Sequence, residues 1–356
     1  MSAAGLLVVS CLADASLLTD VVSEVRSNIL ADLAPKVPGL SIAVGHDGNI
    51  IWSEGFGFAD LEAKKPVTPK TMFRIGSVSK PLTAAGLMLL VEQGKLDLDA
   101  DIHRYVPDFP DKGHPFTTRQ LAGHLAGIRH YQGREAYLNR HYANVQDGLR
   151  IFENDPLVSL PGEKFSYSSY GFNLVSRVME AAAGQDFLTY MQAAVFTPLA
   201  MTNTKPDDVT RVILQRTCFY KVRRGGGFER EPDVDNSYKW ASGGFLSTPE
   251  DLVRFGSAHF QPGFLTRASL DALFSSQTTR AGKLTGYGIG WYTAKDNQGH
   301  RLWSHTGGSV GGTSILLIQP ESRLVLALTA NCTAGPLAKA NPAAIIGMFS
   351  ALFGSK

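Results

Sequence analysis

The 356-residue chain has only three cysteines, Cys11, Cys218 and Cys332, scattered and with no CxxC pair. That excludes a disulfide scaffold and leaves the redox compartment open. Charge of one sign is also missing: Lys plus Arg number 34 against 32 Asp plus Glu, a net +2. Such a balance provides no electrostatic footprint for nucleic acid. Nine histidines are present, yet none forms an HExxH pair, and His124 and His130 stand six apart, off the spacing that puts two ligands on one helical face. His46, His103, His114 and His259 sit beside turn residues and read as surface or capping groups. No metal or other cofactor is expected. No apolar run is long enough to span a bilayer, and the tail from Ala343 to Phe353 reads instead as a terminal helix packed on a sheet. The amino-terminal MSAAGLLVVSCLADAS lacks the basic flank and apolar length of a signal peptide. A cytoplasmic protein is the expectation, with a weak lipoprotein-like export signal at Cys11 as the alternative.

Hydrophobic residues make up 44% of the chain and charged ones 19%, the composition of a globular protein with a sizeable core. Leu40–Gly45 and Ile50–Gly57 are β-rich runs around His-Asp-Gly-Asn and read as a hairpin. Tyr220–Lys221 and Phe228 flank a glycine turn in a second, solvated hairpin. Trp291–Thr293, Arg301–Ser304, Ser314–Gln319 and Leu324–Ala330 read as successive antiparallel strands before a final helix. From Asp97 to about Asn203 the pattern is helical and loop-rich. The expected class is therefore α+β: an antiparallel sheet built from both termini and flanked by helices, with a mostly helical insertion. The implied divisions are an uncertain segment 1–20, an α/β region 21–96 plus 241–356, and a helical region 97–240.

Within Phe73–Leu90, FRIGSVSKPLTAAGLMLL, Ser77 and Lys80 stand three residues apart at the start of an apolar run that stops at Gly94. A serine there is commonly an N-cap and a lysine one turn on is commonly solvated. Here the helix is apolar on nearly every face, so it reads as buried, and its first turn carries Lys80 with it. Residues i and i+3 share a face, so the amine reaches the hydroxyl. Burial and the positive helix end both lower a lysine pKa. A neutral amine beside a serine hydroxyl is a general base beside a nucleophile.

A competing motif, Gly307-Gly308-Ser309-Val310-Gly311, fits the G-x-S-x-G nucleophile elbow. An elbow joins strand to helix, whereas Thr313–Ile318 reads as a strand, and no histidine follows His305 to complete a triad in the required order.

The order S-x-x-K at Ser77–Lys80, then the Tyr167 loop in PGEKFSYSSYGF, then His305-Thr306-Gly307 resembles the serine β-lactamase and penicillin-binding protein superfamily, in its class C branch with related esterases and D-amino-acid peptidases. FRIGSVSKPLTA, LAGHLAGIRHY, FTPLAMTNT, ASGGFLSTPEDLVRF and HTGGSVGGTSILL fit the same pattern, which runs from about Pro38. The resemblance implies that Ser77 is acylated, that Lys80 is its base or proton relay, and that Tyr167 is a second base, as a phenolate or through hydrogen bonding. It also implies an oxyanion hole from the N–H groups of Ser77 and Gly308.

Two departures bear on the substrate. Ser169 stands where the family carries an Asn that grips the substrate amide. His305 stands where it carries a Lys, so the cation of the Lys-Thr-Gly motif is expected only below about pH 6.5. With Thr306 and Gly307 these residues form the implied substrate-binding edge. Both changes weaken recognition of a β-lactam, so a small ester or a short peptide-like substrate is expected ahead of a lactam. The rival expectation is a non-catalytic binding or assembly protein that keeps the fold. Pocket shape is expected to come from loops around Tyr131, Tyr220 and Trp240.

Overall fold

The computed structural model describes residues 3–333, 337 and 340–353, with side chains from residue 16. Helix α1 (Ala3–Asp32) leads into the expected hairpin of β1 (Gly39–His46) and β2 (Asn49–Asp60), followed by the short β3 (Lys65–Pro66) and β4 (Phe73–Arg74). The backbone is thus helical from Ala3, where an indeterminate segment was expected; the Cys11 side chain lies outside the described residues. Next come α2 (Ser79–Glu92), α3 (Thr118–Ala122), α4 (Val145–Leu149), α5 (Ser169–Ala183) and α6 (Phe187–Met191). A run of short elements follows: β5 (Lys205–Pro206), the hairpin β6 (Tyr220–Val222) and β7 (Phe228–Arg230), α7 (Trp240–Gly243) and β8 (Phe245–Ser247). The chain closes with α8 (Pro249–Ala258), α9 (Arg267–Phe274), β9 (Tyr292–Lys295), β10 (Arg301–Ser309), β11 (Gly312–Gln319), β12 (Leu324–Ala330) and α10 (Pro342–Phe353).

The seven-stranded sheet runs β3-β2-β1-β12-β11-β10-β9, so the two ends of the chain meet where β1 pairs antiparallel with β12, Ile42 opposite Leu328 and Val44 opposite Leu326. Every residue of β11 and β12 is buried, because helices cover both faces of the sheet. On one side Val25 and Ile29 of α1 and Phe349 of α10 pack with Leu40, Ile42, Leu317 and Leu326. On the other, Leu252, Val253 and Phe255 of α8 cover Ala43, Leu316, Ile318 and Ala327, in an apolar cluster that continues into α2 and α5. Alternate residues of each strand therefore enter different cores, and the strands read as continuous apolar runs rather than alternating ones. Among the described residues no helix is long and apolar enough to cross a membrane.

Two minor expectations change. His259 is buried among Phe255, Phe264, Phe274 and Trp291, with its Nδ1 3.0 Å from the Phe255 carbonyl, and is not a surface group. Tyr220 lies under the β2 corner, donating its hydroxyl to Glu62 at 2.8 Å.

Candidate active site

Ser77 does not cap α2. It sits in a 3-10 turn, Gly76–Val78, and the helix begins after Val78 with no side-chain cap. The turn is held by Ile75 N–H donating to Phe245 O of β8 (3.1 Å) and by Ser314 Oγ of β11 donating to Ile75 O (2.6 Å). Ser77 alone in Ile75–Lys80 is partly exposed.

Lys80 is fully buried. Its Nζ lies 3.0 Å from Ser77 Oγ, 3.2 Å from Ser169 Oγ and 2.7 Å from the Ser242 carbonyl of α7. Burial, with Lys239 nearby as a second cause, pushes its pKa well below that of an ordinary lysine. A neutral amine has two N–H donors and one lone pair. The Ser242 carbonyl can only accept, so N–H bonds serve it and Ser169 and leave the lone pair for the Ser77 proton.

Tyr167 precedes α5, where Ser168 is the N-cap: its hydroxyl accepts from Gly171 N–H (2.9 Å) and donates to Arg129 O (2.7 Å). The phenol lies near the Ser77 and Ser169 hydroxyls, and Lys80 Nζ lies 4.9 Å from the ring centroid. Burial pushes its pKa above the normal phenol value, against the opposing pull of Ser77. The phenolate allowed by the sequence is therefore not the resting form; Tyr167 rests as a neutral phenol.

Two histidines dismissed as metal ligands have a different task. The first N–H groups of a helix lack intrahelical partners. His124 Nδ1 accepts from Ser168 N–H and His130 Nδ1 from Ser169 N–H, both at 3.1 Å. Both rings must stay unprotonated at Nδ1 to do so, and burial with the nearby Lys80 lowers both pKa values, that of His130 to about 4. The loop bearing them is pinned by Arg129, which pairs with Glu135 (2.7 Å) and Asp155 (2.5 Å). Among the described residues no cluster of three His, Cys, Asp or Glu side chains is placed to hold a metal ion.

On the opposite wall, β9 pairs with β10 only over Arg301–Ser304, so His305–Ser309 has no strand on its outer edge. This free edge crosses the Ser77 turn in direct backbone contact. A Cβ on Gly307 would lie 1.9 Å from Ile75 O, and one on Gly76, whose φ is +49°, would lie 2.5 Å from Gly308 O. Only glycines permit the crossing. Gly308 is exposed, with open space beside it. The elbow reading of Ser309 fails here, since Val310–Gly311 turns directly into strand β11.

His305 departs from expectation. It is buried, and its Nδ1 lies 2.7 Å from the Thr306 carbonyl, which can only accept, so Nδ1 carries the proton and Nε2 accepts from Tyr287 OH at 3.0 Å. Burial, reinforced by Lys80, pushes its pKa down to about 3. It is a neutral strut, not a cation available below pH 6.5.

These walls enclose a cleft of about 280 Å³ whose lining includes Ser77, His130, Tyr131, Ser169, Lys239, Ser242 and Gly308. Of the expected binding residues, Ser169 lines the cleft, while His305 and Gly307 are buried behind it and Thr306 is exposed outside its lining. Of the expected pocket-shaping aromatics, Tyr131 lines it and Tyr220 and Trp240 do not. Sequence reasoning missed Lys239 and Ser242; the signal was a lysine immediately before the apolar Trp-Ala-Ser-Gly-Gly run.

The Beta-lactamase family model matches residues 25–347. The human mitochondrial serine beta-lactamase-like protein LACTB is 33% identical over 80% of this chain and 69% of its own length. Penicillin-binding protein 4* of Bacillus subtilis is 28% identical over 82% and 67%. In structure, the hydrolase EstCE1, described as having promiscuous acyltransferase activity, superposes with a TM-score of 0.78 over 96% of this chain and all of its own at 22% identity, a likeness of fold. With the match running through both walls of the cleft, the chain belongs to the beta-lactamase family, within the serine β-lactamase and penicillin-binding protein superfamily.

Proposed function

We propose that the protein is a cofactor-free serine acyl-hydrolase that forms an acyl-enzyme at Ser77, in the cleft between the α/β region and the helical region 97–240. The observation that carries this is the buried Lys80 amine, 3.0 Å from Ser77 Oγ with its other contacts satisfied.

The Ser77 hydroxyl gives its proton to Lys80 Nζ as Oγ attacks the substrate carbonyl carbon. The oxyanion develops against the N–H groups of Ser77 and Gly308, each donor contributing about 3 kcal/mol. Lys80, directly or through the Tyr167 hydroxyl, returns the proton to the leaving alcohol or amine as the C–O or C–N bond breaks. Water then attacks the acyl carbon while its proton passes by the Tyr167 route to Lys80, and Ser77 leaves reprotonated. Tyr167 is a relay here, giving one proton as it takes another.

Small esters and short peptide-like amides are the favoured substrates over β-lactams. Supporting this order, position 169 carries a serine hydroxyl, which accepts from Lys80 at 3.2 Å, where the family's Asn would offer an amide to the side chain of a β-lactam. Ester hydrolysis by wild type, Ser77→Ala and Lys80→Met, with nitrocefin alongside, tests the proposal. Turnover lost in both variants and faster for esters than for nitrocefin is expected; equal turnover in wild type and Ser77→Ala contradicts it.

A further inference from the structure

We propose that Lys239 is the anion-binding residue of the cleft, so that the preferred acyl substrates carry a carboxylate, a task the family motif would give to position 305. This rests on the reading of the cleft as an acyl-hydrolase site.

Lys239 is 5% exposed and nevertheless lines the cleft beside Ser77 and Ser242. An ammonium has three N–H bonds to satisfy, and the Nζ of Lys239 has one long contact, 3.4 Å to the Ala136 carbonyl. It forms no ion pair among the described residues. Nζ also lies over the rings of Tyr131 and Tyr238, 5.6 and 5.0 Å from their centroids. A buried lysine is normally paired, because an uncompensated charge is costly to bury. Among the described residues that partner is missing, and two of the groups around the amine, Ala136 and Tyr131, line the cleft together with Lys239.

The charge balance of the walls points the same way. No Asp or Glu lines the cleft. The charged and titratable groups facing Lys239 are Lys80, His130, Tyr131, Tyr238, Arg74 and Asp207. The nearby carboxylates are already engaged: Asp207 by Arg74 Nε (2.6 Å), Arg216 (3.1 Å) and Asn236 (2.8 Å), and Glu135, the residue before Ala136, by Arg129 (2.7 Å) and Tyr170 (2.9 Å). His130 accepts at Nδ1 and its pKa is lowered to about 4, so Lys239 is the lining group that can present positive charge near neutral pH. Burial and Arg74 lower its pKa to about 7. The cation is thus present below that pH and lost above it, and a bound carboxylate holds it on.

Two ester pairs test this, one with the charge on the leaving group (4-butyryloxybenzoate against its methyl ester) and one with it on the acyl group (mono-p-nitrophenyl adipate against p-nitrophenyl hexanoate). In Lys239→Met the KM ratio of anionic to neutral ester is expected to rise about tenfold or more in one pair, the loss of one charged hydrogen bond. Lys239→Arg keeps the ratio near wild type, and in wild type the ratio rises as pH passes about 7. Melting temperatures establish that the variants are folded, with Lys239→Gln as the second neutral replacement. Titration calorimetry of 4-hydroxybenzoate into wild type and Lys239→Met gives a readout that does not depend on turnover. Binding to wild type that is lost in Lys239→Met sustains the proposal even if Ser77 proves unreactive. Ratios within twofold of wild type in both pairs, with carboxylate binding equal or absent in both proteins, overturn it while leaving the Ser77 chemistry standing.

Discussion

Gly307→Ala perturbs the crossing of the two walls without touching a reacting atom. The new methyl would stand 1.9 Å from Ile75 O and 2.3 Å from Ser314 Oγ, far inside contact distance. Neither neighbour can yield easily, because Ser314 Oγ and Ile75 O are hydrogen-bonded to each other at 2.6 Å and Ile75 is anchored to Phe245. The strand must therefore move away from the Ser77 turn by more than an ångström. Overpacking of this kind costs about 1–3 kcal/mol of stability. The larger effect falls on catalysis: the Gly308 N–H loses its alignment with that of Ser77, and loss of one oxyanion donor lowers kcat about 10²- to 10³-fold. Steady-state ester kinetics should show the drop in kcat with a small change in KM. Gly308→Ala is the control for stability, since its Cβ meets nothing within 4 Å, and its melting temperature should match wild type. Gly307→Ala that is folded and retains kcat within threefold would refute the placement of the oxyanion hole.

Lys80→Met should lower kcat by about 10²–10⁴-fold, and in wild type kcat/KM should climb on the acid side and level off well below the ordinary lysine pKa of about 10.4, because the working form is the neutral amine; a climb continuing to pH 10 argues against Lys80 as base. Tyr167→Phe should be similarly damaging, and combined with Lys80→Met should add little, since the two act as a unit; additive losses in the double variant would separate their roles. Acid should unfold the protein early. His305 and His259 are buried and neutral, with pKa values lowered to about 3 and about 4, so the unfolded chain takes up protons first. Their contribution is complete above about pH 6.5 and drains away as pH falls toward those folded values, by about 1.4 kcal/mol per pH unit for each. Melting temperatures from pH 8 to 4 should show this, with a shallower slope in His259→Asn; a flat profile contradicts the buried neutral assignment.

What the sequence disclosed and concealed divides along physical lines. The hairpins, the antiparallel order of β10 to β12 and the buried α2 were legible because apolar period, glycine turns and strand length are local properties. The Ser77–Lys80 contact was legible for the same reason, as i and i+3 on one face. The state of His305 was not: its neutrality comes from Tyr287 and from burial behind the sheet edge, neither of which leaves a mark near position 305. His124 and His130 were set aside for the wrong spacing, when their task is to accept from two successive N–H groups at the start of α5, a geometry no i+4 rule addresses. Lys239 was invisible because a lysine before an apolar run looks like a helix flank until the cleft closes over it.

The most direct measurement is intact-protein mass spectrometry after treatment with an active-site fluorophosphonate, on folded wild type and Ser77→Ala. The account predicts one adduct on wild type, mapped to Ser77, and none on the variant. An unlabelled wild type, or equal labelling of both proteins, would contradict it.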